Sequence, residues 1–286
     1  MRRGYVVAYA TLEDFFGDIV GKARQGQGIS EADLARTAGL TPGEIGQIES
    51  YALTPDDERI HALAKALNLN GEKLAGIARG WVPVHSNASF ERAALAVDRT
   101  ILNVGMEVNC YGLKCKRTGE GALIDAGGQA RRILDMVDRM QVRVTHILLT
   151  HGHGDHVGAL REMKEATGGR VCCCERDFSL LGGLEPLVDE VVEEGWETEV
   201  GALKIEAVSL PGHTSGGIGY GTDGVFFSGD ALFAGSLGGA RGAAYTGQIE
   251  AVRRKVLCRD EKVWIFPGHG PITTVEEERA HNPFFA

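Results

Sequence analysis

Apolar residues recur at helical spacing through the first 80 positions and at strand spacing through most of the rest, so the chain divides into an all-helical part and an α/β part. From Leu12 to Arg24, the residues Phe15, Phe16, Ile19 and Val20 share one face of an amphipathic helix. Three capped helices follow. Ser30 with Asp33 opens a run to Ala38; Thr41-Pro42-Gly43-Glu44 is a capping box with proline at the first helical position; Thr54-Pro55-Asp56-Asp57 opens a longer run to Leu67. A fifth helix is expected from Gly71 to Arg79. Pro83 and the polar run Ser86-Asn87-Ala88-Ser89 then break the pattern, which makes residues 81–92 a partly packed linker between a domain at 1–80 and one at 93–286.

Beyond the linker, strand-like runs at Ala94 to Val97, Gly121 to Asp125, Val144 to Thr150, Arg170 to Cys174, Leu203 to Leu210, Gly224 to Ser228 and Val263 to Phe266 interleave with helical ones. The helical runs are Ala130 to Met140, Val157 to Ala166, Gly247 to Cys258 and Val275 to Ala280. This is the pattern of an α/β domain. Its 40 glycines favour many tight loops near a site.

Charge narrows the partners. A formal net charge of -9 gives no global attraction for nucleic acid or anionic lipid. No stretch reaches the roughly 20 apolar residues of a membrane span, and Glu13, Asp14 and Asp18 stand where a secretory peptide would be apolar, so a cytoplasmic protein is expected. Cys110, Cys115, Cys172, Cys173, Cys174 and Cys258 are spaced neither as a disulfide framework nor as a CxxC zinc pattern, and reduced thiols are the expectation. Cys172 to Cys174 read as small apolar residues on a strand.

The chemistry concentrates in Thr150-His151-Gly152-His153-Gly154-Asp155-His156, between the apolar strand Ile147-Leu148-Leu149 and a helix. Imidazole and carboxylate suit zinc or iron, and glycines at 152 and 154 let the backbone fold until the side chains converge. Chance yields His-x-His-x-Asp-His in roughly one chain in two thousand of this composition, so the motif carries weight. Three later strands end on a candidate ligand beside glycine: Pro211-Gly212-His213, Ser228-Gly229-Asp230 and Pro267-Gly268-His269-Gly270. His61, His85, His146 and His281 have no partner at close spacing and read as structural.

With these residues the chain from about Ala93 onward resembles the metallo-β-lactamase fold, in its glyoxalase II-like (hydroxyacylglutathione hydrolase) branch. Leu123-Ile124-Asp125-Ala126-Gly127-Gly128 resembles the family's early strand-turn, whose aspartate supports the metal loops. Pro267-Gly268-His269-Gly270-Pro271-Ile272-Thr273-Thr274, with Glu278-Arg279 and His281-Asn282-Pro283-Phe284, is similar to the short bacterial members. The resemblance implies a four-layer αββα fold and two divalent metal ions, zinc first, with iron (Fe2+) or manganese (Mn2+) as alternatives. It further implies that His151, His153 and His213 hold one metal, Asp155, His156 and His269 the other, and that Asp230 bridges them. Asp155 would orient a metal-bound hydroxide for hydrolysis of a small-molecule thioester. A persulfide dioxygenase-like enzyme with one iron at His151, His213 and Asp230 is the alternative activity, and lactone or phosphodiester hydrolysis a third.

Many relatives carry Gly-Arg-Thr-Asp after the bridging aspartate, whereas here Gly238-Gly239-Ala240-Arg241-Gly242 displaces the basic residue, which weakens the case for glutathione. Arg241 and Tyr245 are the candidate substrate contacts. In the first domain, Leu34-Ala35-Arg36-Thr37-Ala38-Gly39-Leu40, with Ile45, Ile48 and Glu49, resembles the helix-turn-helix of Cro-like (XRE) DNA-binding domains. That implies a DNA-binding regulator with a metabolite-sensing hydrolase-like domain, for which Gln47 is the candidate base reader. Against it, residues 1–80 hold nine Lys/Arg and eleven Asp/Glu, and Thr41 to Ser50 contains no Lys or Arg. A homodimer contact or packing between domains is the other role expected of these helices.

Overall fold

The computed structural model describes residues 9–84 and 90–285. Five helices come first: α1 (Phe16–Gly26), α2 (Glu31–Ala38), α3 (Pro42–Glu49), α4 (Asp57–Ala66) and α5 (Gly71–Ala78). Ser30, Thr41, Asp56 and Asn70 each accept a backbone N–H through the side chain, satisfying donors that a helix start leaves free. α1 begins later than the apolar run from Leu12 suggests. The Asp18 carboxylate accepts the Phe15 N–H at 2.8 Å and sets the start there, so residues 12–15 are not helical.

Two sheets follow. The first runs in chain order through β1 (Phe90–Glu91), β2 (Leu95–Asn103), β3 (Glu107–Cys115), β4 (Glu120–Ile124), β5 (Arg143–Leu148), β6 (Arg170–Cys173) and β7 (Glu190–Val191), antiparallel up to β4 and parallel after it. The second comprises β8 (Glu197–Val200), β9 (Leu203–Ser209), β10 (Ile218–Thr222), β11 (Val225–Gly229), β12 (Trp264–Pro267) and β13 (Thr273–Thr274), in which only β11 and β12 pair in parallel. Helices α6 (Ala130–Met140), α7 (Gly154–Val157) and α8 (Leu160–Thr167) belong to the first half, and α9 (Ala243–Lys255) and α10 (Val275–His281) to the second.

Three apolar clusters show the layering. Tyr111, Leu148, Tyr220, Phe227 and Phe266 fill the space between the sheets. Ile133, Met136, Leu160 and Met163 cover Leu123 and Ile147 on the outside of the first sheet. On the outside of the second, Val252 and Val275 cover Phe226 and Ile265. Adjacent residues serve opposite faces, Ile147 outward and Leu148 inward, Cys173 outward and Cys172 inward, as a pleated strand requires. This is the expected four-layer αββα order.

The five N-terminal helices continue the last layer. Ile19, Leu34, Ile45, Leu63 and Leu74 belong to the same buried cluster as Phe226 and Val275. Polar bonds fix the junction: the Gly242 N–H donates to the Gly26 carbonyl at 2.8 Å, the Asn70 N–H to the Pro283 carbonyl at 2.8 Å and the Lys73 ammonium to the Arg279 carbonyl at 2.7 Å. Trp81 of the linker stacks on His281 with ring centroids 4.5 Å apart. His85 and Ser86 to Ser89 lie outside the described residues. Among those described, no helix is long and apolar enough to cross a membrane.

Candidate metal centre

The parallel strands β4 and β5, and β11 and β12, end at one rim of the sandwich, and the loops leaving that rim carry the chemistry. His151 to His156 follow β5, His213 follows β9, Asp230 follows β11 and His269 follows β12. The structure brings all seven expected side chains together, with ligand atoms within 4.8 Å of one another in three overlapping groups: His151, His153 and His213; His151, His156 and Asp230; Asp155, His156 and His269.

The separations fit metal coordination. Two donors about 2.0–2.1 Å from a tetrahedral ion stand about 3.3–3.4 Å apart. In the first group His153 Nδ1 lies 3.1 Å from His151 Nε2 and 3.0 Å from His213 Nε2. In the group of Asp155, His156 and His269, His269 Nε2 lies 3.3 Å from both His156 Nε2 and Asp155 Oδ2. Asp230 reaches both: Oδ2 is 3.4 Å from His213 Nε2 and Oδ1 is 3.4 Å from His156 Nε2. Asp230 Oδ1 is buried without a hydrogen bond, the condition of an atom shaped for a cation.

Outer partners aim the lone pairs inward. With Nδ1–H donated to Asp125 Oδ2 (2.8 Å) from His156, to the Glu107 carbonyl (2.6 Å) from His269 and to the Gly239 carbonyl (3.1 Å) from His213, each Nε2 is free to face the centre. Asp125, at φ 62°, also accepts the Thr150 N–H and hydroxyl, both at 2.8 Å, so it supports the metal loop as expected without entering the donor groups.

The field matches this division. Burial opposes ionisation of Asp155, but the His269 hydrogen bond and the nearby His156 hold its carboxyl well below the usual range. Burial also disfavours a charged His269, yet Asp230 and the bond to Asp155 push it up to about 9, so its Nε2 carries a proton that a cation would displace. His151 and His213 are lowered by burial, with neighbouring imidazoles adding to it, so both present neutral rings.

Close approach explains two of the glycines. A Cβ on Gly268 would collide with Asp230 Oδ1 and His156, and one on Gly152 would stand 2.8 Å from the Asp177 carbonyl. Gly154 differs from expectation: it faces open space with an ordinary φ, so convergence of the side chains does not require glycine there.

Sequence reasoning missed several supports. Buried Asp177 accepts the Gly152 N–H at 3.1 Å and the Gly216 N–H at 2.7 Å, tying the His151 loop to the His213 loop. Asn109 Nδ2 donates to the Pro267 and Gly270 carbonyls around His269, and Gln248 Nε2 to the Ala231 and Gly238 carbonyls around Asp230. These act through loop carbonyls and N–H groups, which leave no spacing signature in the sequence.

The other named residues stand elsewhere. Arg241 donates to Gln25 Oε1 at 3.0 Å, and buried Tyr245 packs against Gly26 and Phe284, so both belong to the junction with the helices. Gln47 is exposed on α3. His61 bonds the Asp57 carbonyl and Glu72, buried His146 bonds Thr145, and His281 stacks on Trp81. Cys172 and Cys173 are pushed up to about 12 by burial, which makes them inert packing groups.

A four-layer αββα sandwich with two His/Asp donor groups sharing one carboxylate defines a class, the metal-dependent hydrolase folds of the metallo-β-lactamase type. Comparison with known proteins makes it specific. The metallo-beta-lactamase superfamily model matches residues 104–269, and a helix-turn-helix model matches residues 20–74. The chain belongs to the metallo-beta-lactamase superfamily and carries an N-terminal helix-turn-helix domain. It is 34% identical over 183 residues to hydroxyacylglutathione hydrolase GloC of Haemophilus influenzae, spanning 57% of this chain and 86% of that one. Among solved structures, ETHE1 from Myxococcus xanthus is similar at a TM-score of 0.57 and 26% identity, covering 65% of this chain and 83% of that one. TTHA1623 in a di-iron-bound form is similar at a TM-score of 0.56 and 28% identity, covering 66% and 100%. The His/Asp clusters together with this family indicate a dinuclear metal site.

Proposed function

We propose that this protein is a thioester hydrolase of the glyoxalase II-like kind. The observation that carries the reading is the pair of donor groups joined by Asp230. His151, His153 and His213 would hold one cation, Asp155, His156 and His269 the other, and Asp230 would touch both. When bound, such a pair of cations supplies hydroxide near neutral pH and a Lewis acid for the acyl carbonyl. Asp155 remains a carboxylate across the working pH range, able to accept a hydrogen bond from the attacking oxygen and keep it aligned. Asp125, Asp177 and Asn109 hold the loops so that these groups need no rearrangement.

Similarity to GloC supports the thioester. The commitment of Arg241 to Gln25 argues against a contact with the glutathione carboxylate. Similarity to ETHE1 favours a second reading, oxidation at a single iron, and His153 weighs against it by completing a three-imidazole group. Asp155→Asn separates structure from chemistry: the protein is expected to fold, lose metal from the Asp155, His156 and His269 group, and lose at least about a hundredfold in thioester turnover. Full turnover in a metal-free preparation would overturn the mechanism.

For the helices we propose a packing role, not DNA reading. Among the described residues of this domain only Lys65 is a cation without an ion pair or hydrogen bond, because Arg24 is held by Glu49, Arg36 by Asp33, Arg59 by Glu44 and Arg79 by Asp57. Lys22 and Lys73 bond carbonyls of the larger domain. Few cations remain for phosphates.

A further inference from the structure

The segment before α1 runs along the rim of the metal centre. The Cβ position of Gly270, next to His269, is filled by Glu13, whose Cβ stands 2.8 Å and backbone nitrogen 3.1 Å from it. Phe233 lies with its ring centroid 5.7 Å from that of His269 and carries the Lys22 ammonium 5.0 Å from its own centroid. The N-terminal domain therefore supplies part of the wall around the site.

Glu13 is the unusual member of that wall. Its neighbour Asp14 is spent on Lys22, which also donates to the Leu237 carbonyl at 2.9 Å. Asp155 and Asp230 face the imidazoles. Glu13 is half-buried and joins no hydrogen bond or salt bridge among the described residues. A half-buried carboxylate that joins no hydrogen bond or salt bridge stays available to a cation entering beside His269.

We infer that Glu13 is a specificity-determining residue of the substrate cleft, selecting thiol groups that carry an ammonium over those that carry a carboxylate. The inference rests on the thioesterase reading for its choice of thiols and on the geometry for the role of Glu13. A carboxylate at this rim attracts a cationic leaving group and repels an anionic one while leaving the metal ligands untouched. It is supplied by the segment ahead of α1, so the N-terminal domain sets substrate charge preference as well as completing the core.

The test uses the full chain loaded with cobalt(II), whose thiolate charge-transfer band reports binding without turnover. Cysteamine, 2-mercaptoethanol and 3-mercaptopropionate are titrated into wild type, Glu13→Gln and Glu13→Lys, with cobalt stoichiometry and thermal midpoint measured in each. Because the thiols differ in acidity, the readout is the change in their affinity ratio between variants. Removing Glu13 is expected to cut the preference for cysteamine over 3-mercaptopropionate by about tenfold, the order of one opposite-charge contact in a partly solvated cleft. Glu13→Lys is expected to reverse the preference, with cobalt content unchanged in both. An unchanged ratio across the three proteins overturns the inference. If the ratio shifts as expected but no thioester is hydrolysed, the thioesterase reading fails and the role of Glu13 stands; failure to take up cobalt overturns both.

Discussion

Asp125 shows how much of the site depends on residues that never face a metal. Its carboxylate orients His156 and accepts both the N–H and the hydroxyl of Thr150, one residue before the first imidazole. Asp125→Asn presents an amide where His156 needs an acceptor. The expected outcome is a 10- to 100-fold weaker hold, to order of magnitude, on the metal of the His156 group, read by chelator competition, with the His151, His153 and His213 group little changed. Gly268→Ala acts more directly, since a methyl there collides with Asp230 Oδ1 and His156. This variant should lose both equivalents of metal in the same assay.

At the scale of elements, α10 and the loop after β11 are locked together by Glu278. Its buried carboxylate accepts the Gly235 N–H at 3.0 Å, the Thr273 hydroxyl at 2.8 Å and the Asn282 amide at 2.8 Å. Burial pushes Glu278 up to about 7 against the pull of those three donors. The folded chain therefore retains this proton where the unfolded chain has lost it. Its contribution to stability is full below about 4.5 and is lost as pH rises through about 7. Relative to Glu278→Gln, wild type should lose about 2 kcal/mol between pH 5 and pH 8 in urea unfolding, and a constant difference would contradict this.

The same elements show what was legible in the sequence. Helix starts could be read because capping is local chemistry: Ser30, Thr41 and the Asp56 within Thr54 to Asp57 mark their helices directly. α6 was legible end to end from its apolar stripe. The metal residues stood out because convergence of histidines beside glycine is rare. By contrast β3 and β10 escaped notice. In β3, Asn109 and Gly112 interrupt the apolar run, one spent on the Pro267 and Gly270 carbonyls and the other making room for Met140. In β10, Gly219 yields its side-chain space to Phe226. In the sequence Glu13 figures only as an acid where a secretory peptide would be apolar, because its neighbour Gly270 lies at the far end of the chain.

For the whole molecule, the consequence of a shared core is cooperativity. The helices and the outer layer of the second sheet bury one cluster, from Ile19 and Leu63 to Phe226 and Val275. Full-length protein should unfold in a single transition by calorimetry and by near-ultraviolet circular dichroism. Removing residues 1–80 should expose that face and yield a chain that binds hydrophobic dye and aggregates. Two separable transitions would instead mean an independent helix-turn-helix. The packing role also predicts no mobility shift of genomic fragments even at low salt.

One paired measurement decides whether a two-metal centre hydrolyses thioesters here. Protein purified without added metal is analysed for metal by mass spectrometry, and the same sample is assayed for thiol release and oxygen uptake across acyl thioesters and persulfides. Two equivalents of metal per chain, with thiol release that vanishes on chelation and returns on reloading, are expected. One iron per chain with oxygen consumption and no thiol release would show a persulfide dioxygenase instead.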